Sequence, residues 1–102
     1  MTRDKYILTD NGIPVVEPDL MKWAVWFQDT ERRLVARNLI GPSAISTVFL
    51  GLDHNFDEGP PVLWETMVFG GAMDQVQDRC SGSREQAEAM HAAMLERVRS
   101  SQ

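Results

Sequence analysis

What this chain lacks narrows it first. It has a single cysteine, Cys80, in 102 residues. That excludes an intramolecular disulfide and a cysteine-rich zinc site, and it favours a reducing compartment such as the cytoplasm. No run of about 18 apolar residues occurs, so no transmembrane helix is expected. The opening MTRDKYILTDNG has neither an apolar h-region nor a small-residue cleavage site, so no secretory signal is expected. Basic residues are outnumbered, 10 against 15, for a net charge of -5, which argues against nucleic-acid binding. The acids are spread along the chain, so a DNA-mimicking acidic face is not indicated either. There is no G-x-S-x-G, H-E-x-x-H, C-x-x-C or phosphate-cradling glycine loop. Nothing in the sequence asks for an enzyme or a cofactor. There is also no internal repeat, linker or low-complexity segment, so residues 1–102 read as one domain.

The stretch that organises the rest is TVFLGLDHNFDEGPPVLWETMVFGG, residues 47–71. It reads as two apolar strands joined by a polar, acidic loop. Before it, KYILT (5–9) is a short strand stopped by Asp10-Asn11-Gly12, a strong turn signal, and residues 13–16 return as an edge segment. A helix is expected from Asp19 to about Glu31, its stripe carried by Leu20, Trp23, Ala24 and Phe27 with Trp26 at the margin. Strands follow at Arg33–Ile40, Ala44–Leu52, Val62–Phe69 and Val76–Cys80. Ser83, with Gln86 three residues on, is a capping box opening a last helix. The apolar stripe of that helix is Ala87, Met90, His91, Met94, Leu95 and Val98. The fold class is therefore α+β: an antiparallel sheet of four to five strands on two helices, in the order β-α-β-β-β-β-α.

The two central strands are apolar on both faces, with Leu63, Met67 and Phe69 on one side of the second and Val62, Trp64 and Val68 on the other. A sheet with one wet face would alternate with polar residues. A second cover is expected, either another copy of the chain or a ligand groove.

Several residues could carry chemistry. Asp53, Asn55 and Asp57 alternate as calcium-loop ligands do, but Gly59 comes one position late and the flanks are strands. A solvated acidic loop is the preferred reading. His54 beside Asp53 could serve as an acid–base group or metal ligand. His91 lies on a helix stripe and reads as a core histidine; a two-histidine site requires the fold to join loop and helix. Glu65 sits mid-strand among apolar residues, where an ionised group needs a partner. It reads as an ion pair with Arg37 or Arg79, or as a ligand-binding carboxylate in a groove lined by Trp64 and Phe49. Cys80 reads as a small buried side chain. Eight of the ten bases are arginine, whose fork suits phosphates and carboxylates, although salt-bridging on the surface is the plainer explanation.

The motifs STVFLGLDHNF and PPVLWETMVFGG, with the KYIL start, the PDLMKWAVWF helix and the REQAEAMH closing helix, resemble a family of short tailed-phage and prophage proteins with no settled activity. Asp57 and Glu58 depart from the glycines usual there, which further weakens the calcium reading. The resemblance implies an accessory, counter-defence protein in the host cytoplasm. As a ligand sponge it would be a homodimer or larger oligomer sequestering a nucleotide-type host signal. Trp64, Phe56 and Trp26 would stack a base, Arg37 or Arg79 would meet phosphate, and Glu65 and His54 would complete the site. As an inhibitor it would press its acidic loop and exposed aromatics on a basic host protein. A metal-dependent hydrolase using His54, Asp53 and Glu65 is the third reading.

Overall fold

The computed structural model describes residues 4–102. A hairpin comes first, β1 (Tyr6–Leu8) and β2 (Pro14–Val16), followed by two short helices, α1 (Leu20–Phe27) and α2 (Thr30–Arg33). Four strands, β3 (Leu34–Ile40), β4 (Ser43–Phe49), β5 (Val62–Phe69) and β6 (Gln77–Ser81), lead to the long helix α3 (Arg84–Ser100). The four strands form an antiparallel sheet in sequence order, and β1-β2 is a sheet of its own. The fold is α+β, as expected.

The first strand stays out of the main sheet because its turn folds it back at once. Gly12 adopts φ +77, a left-handed conformation that glycine takes without steric cost. Thr9 and Ile13 then close the hairpin through a 2.9 Å hydrogen bond. The hairpin docks on the sheet's end through a Lys5–Leu52 bridge and a bond from Tyr6 N to Gly51 O.

The single helix expected from Asp19 to Glu31 is instead two. Asp19 caps α1 by accepting from the amides of Met21 and Lys22. Asp29, in extended backbone, does the same for Glu31 and Arg32. A second N-cap inside the stretch interrupts the first helix, because the cap residue cannot itself be helical. The stripe also shifts. Trp26 is buried and Leu20 is 61% exposed, so α1 is anchored by the residue placed at the margin.

Two bulges set which side chains enter the core. Between Leu34 and Ala36 the register of β3 against β4 slips, and between Val62 and Trp64 that of β5 against β6. The extra residues are Val35 and Leu63. A bulge turns consecutive side chains toward one face, so Leu63 and Trp64 are both buried in the same cluster. Strict alternation, which set Leu63 beside Glu65 and Met67, fails here.

Helix α3 covers one face of the four-stranded sheet. Its Ser83 cap accepts from Gln86 N at 3.2 Å. The core beneath it has two apolar clusters. One joins Leu8, Trp26, Phe49, Leu63, Trp64 and Ala87; the other joins Ile45, Val68, Met94 and Val98. Each large side chain buried this way contributes about 1.5–3 kcal/mol. Between the clusters lies a polar belt of Thr47, Thr66 and His91, all buried.

Candidate functional site

Every residue singled out in the sequence can now be located. Trp64 has no exposed surface, donates its indole N–H to Gly82 O at 2.9 Å, and meets Phe49 edge-on at 4.9 Å. Trp26 is 9% exposed and packs at 5.7 Å on the other side of Phe49. The expectation that Trp64 stacks a base is corrected: it is sealed in a core ladder with Phe49 and Trp26, and it offers a ligand no face. Phe56 is 72% exposed at the tip of the acidic loop.

The loop is held by its own polar side chains. One oxygen of Asp53 accepts from Asn55 N and Val62 N, at 2.7 and 2.9 Å. Asn55 accepts from Asp57 N and donates to Pro60 O. His54 Nδ1 donates to Leu52 O at 2.8 Å. These bonds close a connection between two strands and account for the alternation that resembled a calcium loop. Among the described residues, no three His, Cys, Asp or Glu side chains are grouped to hold a metal ion.

His91 joins no site with His54. Its Nδ1 lies 2.7 Å from Thr47 Oγ1 and its Nε2 lies 2.7 Å from Asn38 Oδ1. Both nitrogens are committed, and burial pushes its pKa down from the ordinary value. Thr47 and Thr66 are also within hydrogen-bond distance, 2.5 Å. A hydroxyl, an imidazole and an amide in line have the composition of a nucleophilic triad. With Thr47 wholly buried, the hydroxyl cannot reach a substrate. Cys80 is half-buried, its thiol pushed up by burial and then by Asp78, which disfavours the reactive thiolate.

Glu65 is paired as the sequence allowed. Its Oε2 accepts from Arg79 Nε at 2.7 Å. Arg79 is its direct cross-strand neighbour, whereas Arg37 pairs with Ser46 on β4, two strands away. Register therefore selects Arg79.

A further concavity lies elsewhere. A cleft of about 630 Å³ opens between the hairpin, the α1–α2 region and the start of α3. Ile7, Leu8 and Trp26 line it with apolar atoms; Thr9, Asp10 and Gly12 form the turn side; Arg32 and Arg84 supply positive charge. The two ion pairs of these arginines, with Asp29 and Glu88, are made through Nε. A Cβ placed on Gly12 would lie 3.4 Å from Arg84 Cδ and 3.9 Å from its Nη1, so the guanidinium arm lies across the hairpin turn. A shallower neighbouring groove of about 440 Å³ shares Ile7, Trp26 and Arg32 and adds Glu17, Met21, Lys22 and Val25. Of the residues singled out in the sequence, only Trp26 lines this region. Arg32, Arg84 and Asp10 were missed because they sit on three separate segments. The excess of arginine was their only signal.

We find no family model, curated protein or solved structure that this chain matches.

Proposed function

We propose that the chain is a non-catalytic binding protein that sequesters a small anionic host ligand, of nucleotide type, in the Arg32–Arg84 cleft. One observation carries this reading: two arginines on separate helices line the same cleft, above the apolar floor of Ile7, Leu8 and Trp26. Its volume, about 630 Å³, falls within the range of small-molecule sites, about 300–1,000 Å³. Guanidinium forks engage phosphate or carboxylate oxygens in pairs, and the outer nitrogens are the ones left for a ligand. Asp10 would accept from a hydroxyl or amine on the ligand's other end. The counter-defence role implied by the phage resemblance belongs to this proposal, as does the host cytoplasm as its setting.

The test is calorimetric titration of inorganic phosphate, acetate and adenosine monophosphate into the purified chain. Saturable binding of the nucleotide is expected, weakened about tenfold or more by Arg84→Ala, since a charge-assisted hydrogen bond contributes ~1.5–3 kcal/mol. Nucleotide binding indifferent to both Arg32→Ala and Arg84→Ala would remove the cleft from the argument. Hydrolysis of the nucleotide would overturn the non-catalytic reading.

A second reading has its own observation. Phe56 is 72% exposed beside Asp57 and Glu58, while Met21, Leu20 and Val25 are each at least 61% exposed along α1. Aromatic and apolar groups flanked by acids suit a basic protein surface, as the inhibitor reading requires. A salt-sensitive complex lost in Phe56→Ala would support it.

A further inference from the structure

We infer that the open face of the four-stranded sheet is a self-association surface, in which Arg37 of one copy meets Glu65 of a second copy across a two-fold axis. This inference is independent of the cleft, with which the face shares no lining residue.

The face has an apolar middle flanked by polar edge strands, and it has no cover. Strand pairing places Leu34, Val48, Glu65 and Arg79 in one row across it, Arg37, Ser46, Met67 and Gln77 in the next, and Leu39, Ala44 and Phe69 in the third. On the two central strands only Ser46 and Glu65 of these are polar. Leu39 is 74% exposed and Phe69 47%. Helix α3 packs on the opposite face, where Thr47, Thr66, Ile45 and Val68 are buried, and α1 packs against β1 and α2. Thus no described element of the chain covers this side.

Charge selects a second copy as the occupant. Arg37 makes no ion pair among the described residues, and Glu65 uses only Oε2 for Arg79. By the register, Arg37 and Glu65 lie two strands and one row apart, about 12 Å on ordinary strand spacing and rise. The midpoint falls on β4 between Ser46 and Val48. A two-fold axis through that point, in the plane of the contact, exchanges the two positions. One isologous contact then pairs both arginines with both carboxylates at once. The chain's charge of -5 does not oppose this at close range. The face itself carries two cations and one anion, and charges farther away than about 8–10 Å are screened at physiological salt.

The projected face is about 23 by 19 Å on the same spacings, roughly 440 Å². A standard interface uses about 800 Å² per partner, so the dimer should be weak and concentration-dependent.

Sedimentation velocity over a wide concentration range tests the inference, with circular dichroism to verify folding. The native chain should pass from monomer to dimer. Arg37→Glu should weaken the dimer on the order of tenfold or more by setting like charges together. The triple change Arg37→Glu, Glu65→Arg, Arg79→Glu keeps the intrachain pair with signs reversed and should restore dimerisation. A native chain that is monomeric throughout overturns the proposal. So does a dimer indifferent to both Arg37→Glu and Met67→Lys, which would form elsewhere. Failure of the triple change to restore a dimer lost in Arg37→Glu overturns the Arg37–Glu65 pairing.

Discussion

Thr47 Oγ1 and His91 Nδ1, 2.7 Å apart, join the middle of the sheet to the middle of α3. The bond has a direction. Asn38 Oδ1 can only accept, so His91 Nε2 carries the proton and Nδ1 accepts from Thr47. Thr47 in turn is left to accept from Thr66. The relay runs Thr66 to Thr47 to His91 to Asn38, and it satisfies a polar belt between two apolar clusters. Unsatisfied, the same groups would each cost about 1–3 kcal/mol.

Stability should therefore depend on pH through His91. Its folded pKa is lowered by burial, so below the unfolded value of about 6.5 the unfolded chain binds more protons than the folded one. Stability is complete above that value and declines as pH falls below it. Urea midpoints measured between pH 7.5 and 5 should fall with acid, and His91→Gln should flatten that slope. An unchanged slope in the variant would assign the effect to other groups.

The direction of the relay ranks two substitutions that look alike. Thr47→Val strands both the Nδ1 acceptor of His91 and the Thr66 hydroxyl, whereas Thr66→Val removes only the first donor in the chain. Denaturant unfolding should show Thr47→Val to be more damaging, by on the order of 1–3 kcal/mol. Equal losses would contradict the assigned direction.

Trp64 should behave as a core residue in every assay. Trp64→Ala empties the space between Phe49 and Gly82, and changes of this kind cost about 3–5 kcal/mol against a total stability of about 5–15 kcal/mol. Trp64→Phe, which loses the indole bond but keeps most of the volume, should be milder. Loss of ligand binding in the alanine variant would report unfolding, which melting curves would reveal.

Gly51 should control how α1 is held. It has φ +76, and a Cβ there would come within 2.8 Å of the Phe27 ring. Its carbonyl accepts from Trp23 Nε1 at 3.0 Å. Gly51→Ala combines backbone strain with that clash, and strain alone costs on the order of 1–3 kcal/mol. Amide exchange should show α1 opening more readily in this variant, with α3 less affected.

Local signals in this sequence were enough for what depends on neighbours along the chain. The Ser83 cap and the stripe through Ala87, His91, Met94 and Val98 defined α3, because helix periodicity and capping act over three or four residues. The apolar runs of β4 and β5 were legible for the same reason, and so was the core placement of His91. The break at Asp29 was missed although its signal was local: an aspartate followed by Thr-Glu is a second helix start, and the longer apolar pattern concealed it.

Other features depended on contacts between distant segments. The bulges at Val35 and Leu63 shift side chains between faces, and packing against the helix side decides where they fall. Trp26 became the buried residue of α1 because Phe49 offers it an edge, which periodicity within α1 does not encode. Asp10, Arg32 and Arg84 meet around one cleft only because the hairpin, α2 and α3 converge there. Sequence alone determined the central strands, the last helix and the class of fold, since those follow from short-range periodicity and backbone chemistry. Tertiary structure decided which arginine Glu65 meets, which rings are sealed in the core and which sheet face stays open, because register and packing join residues that the chain keeps far apart.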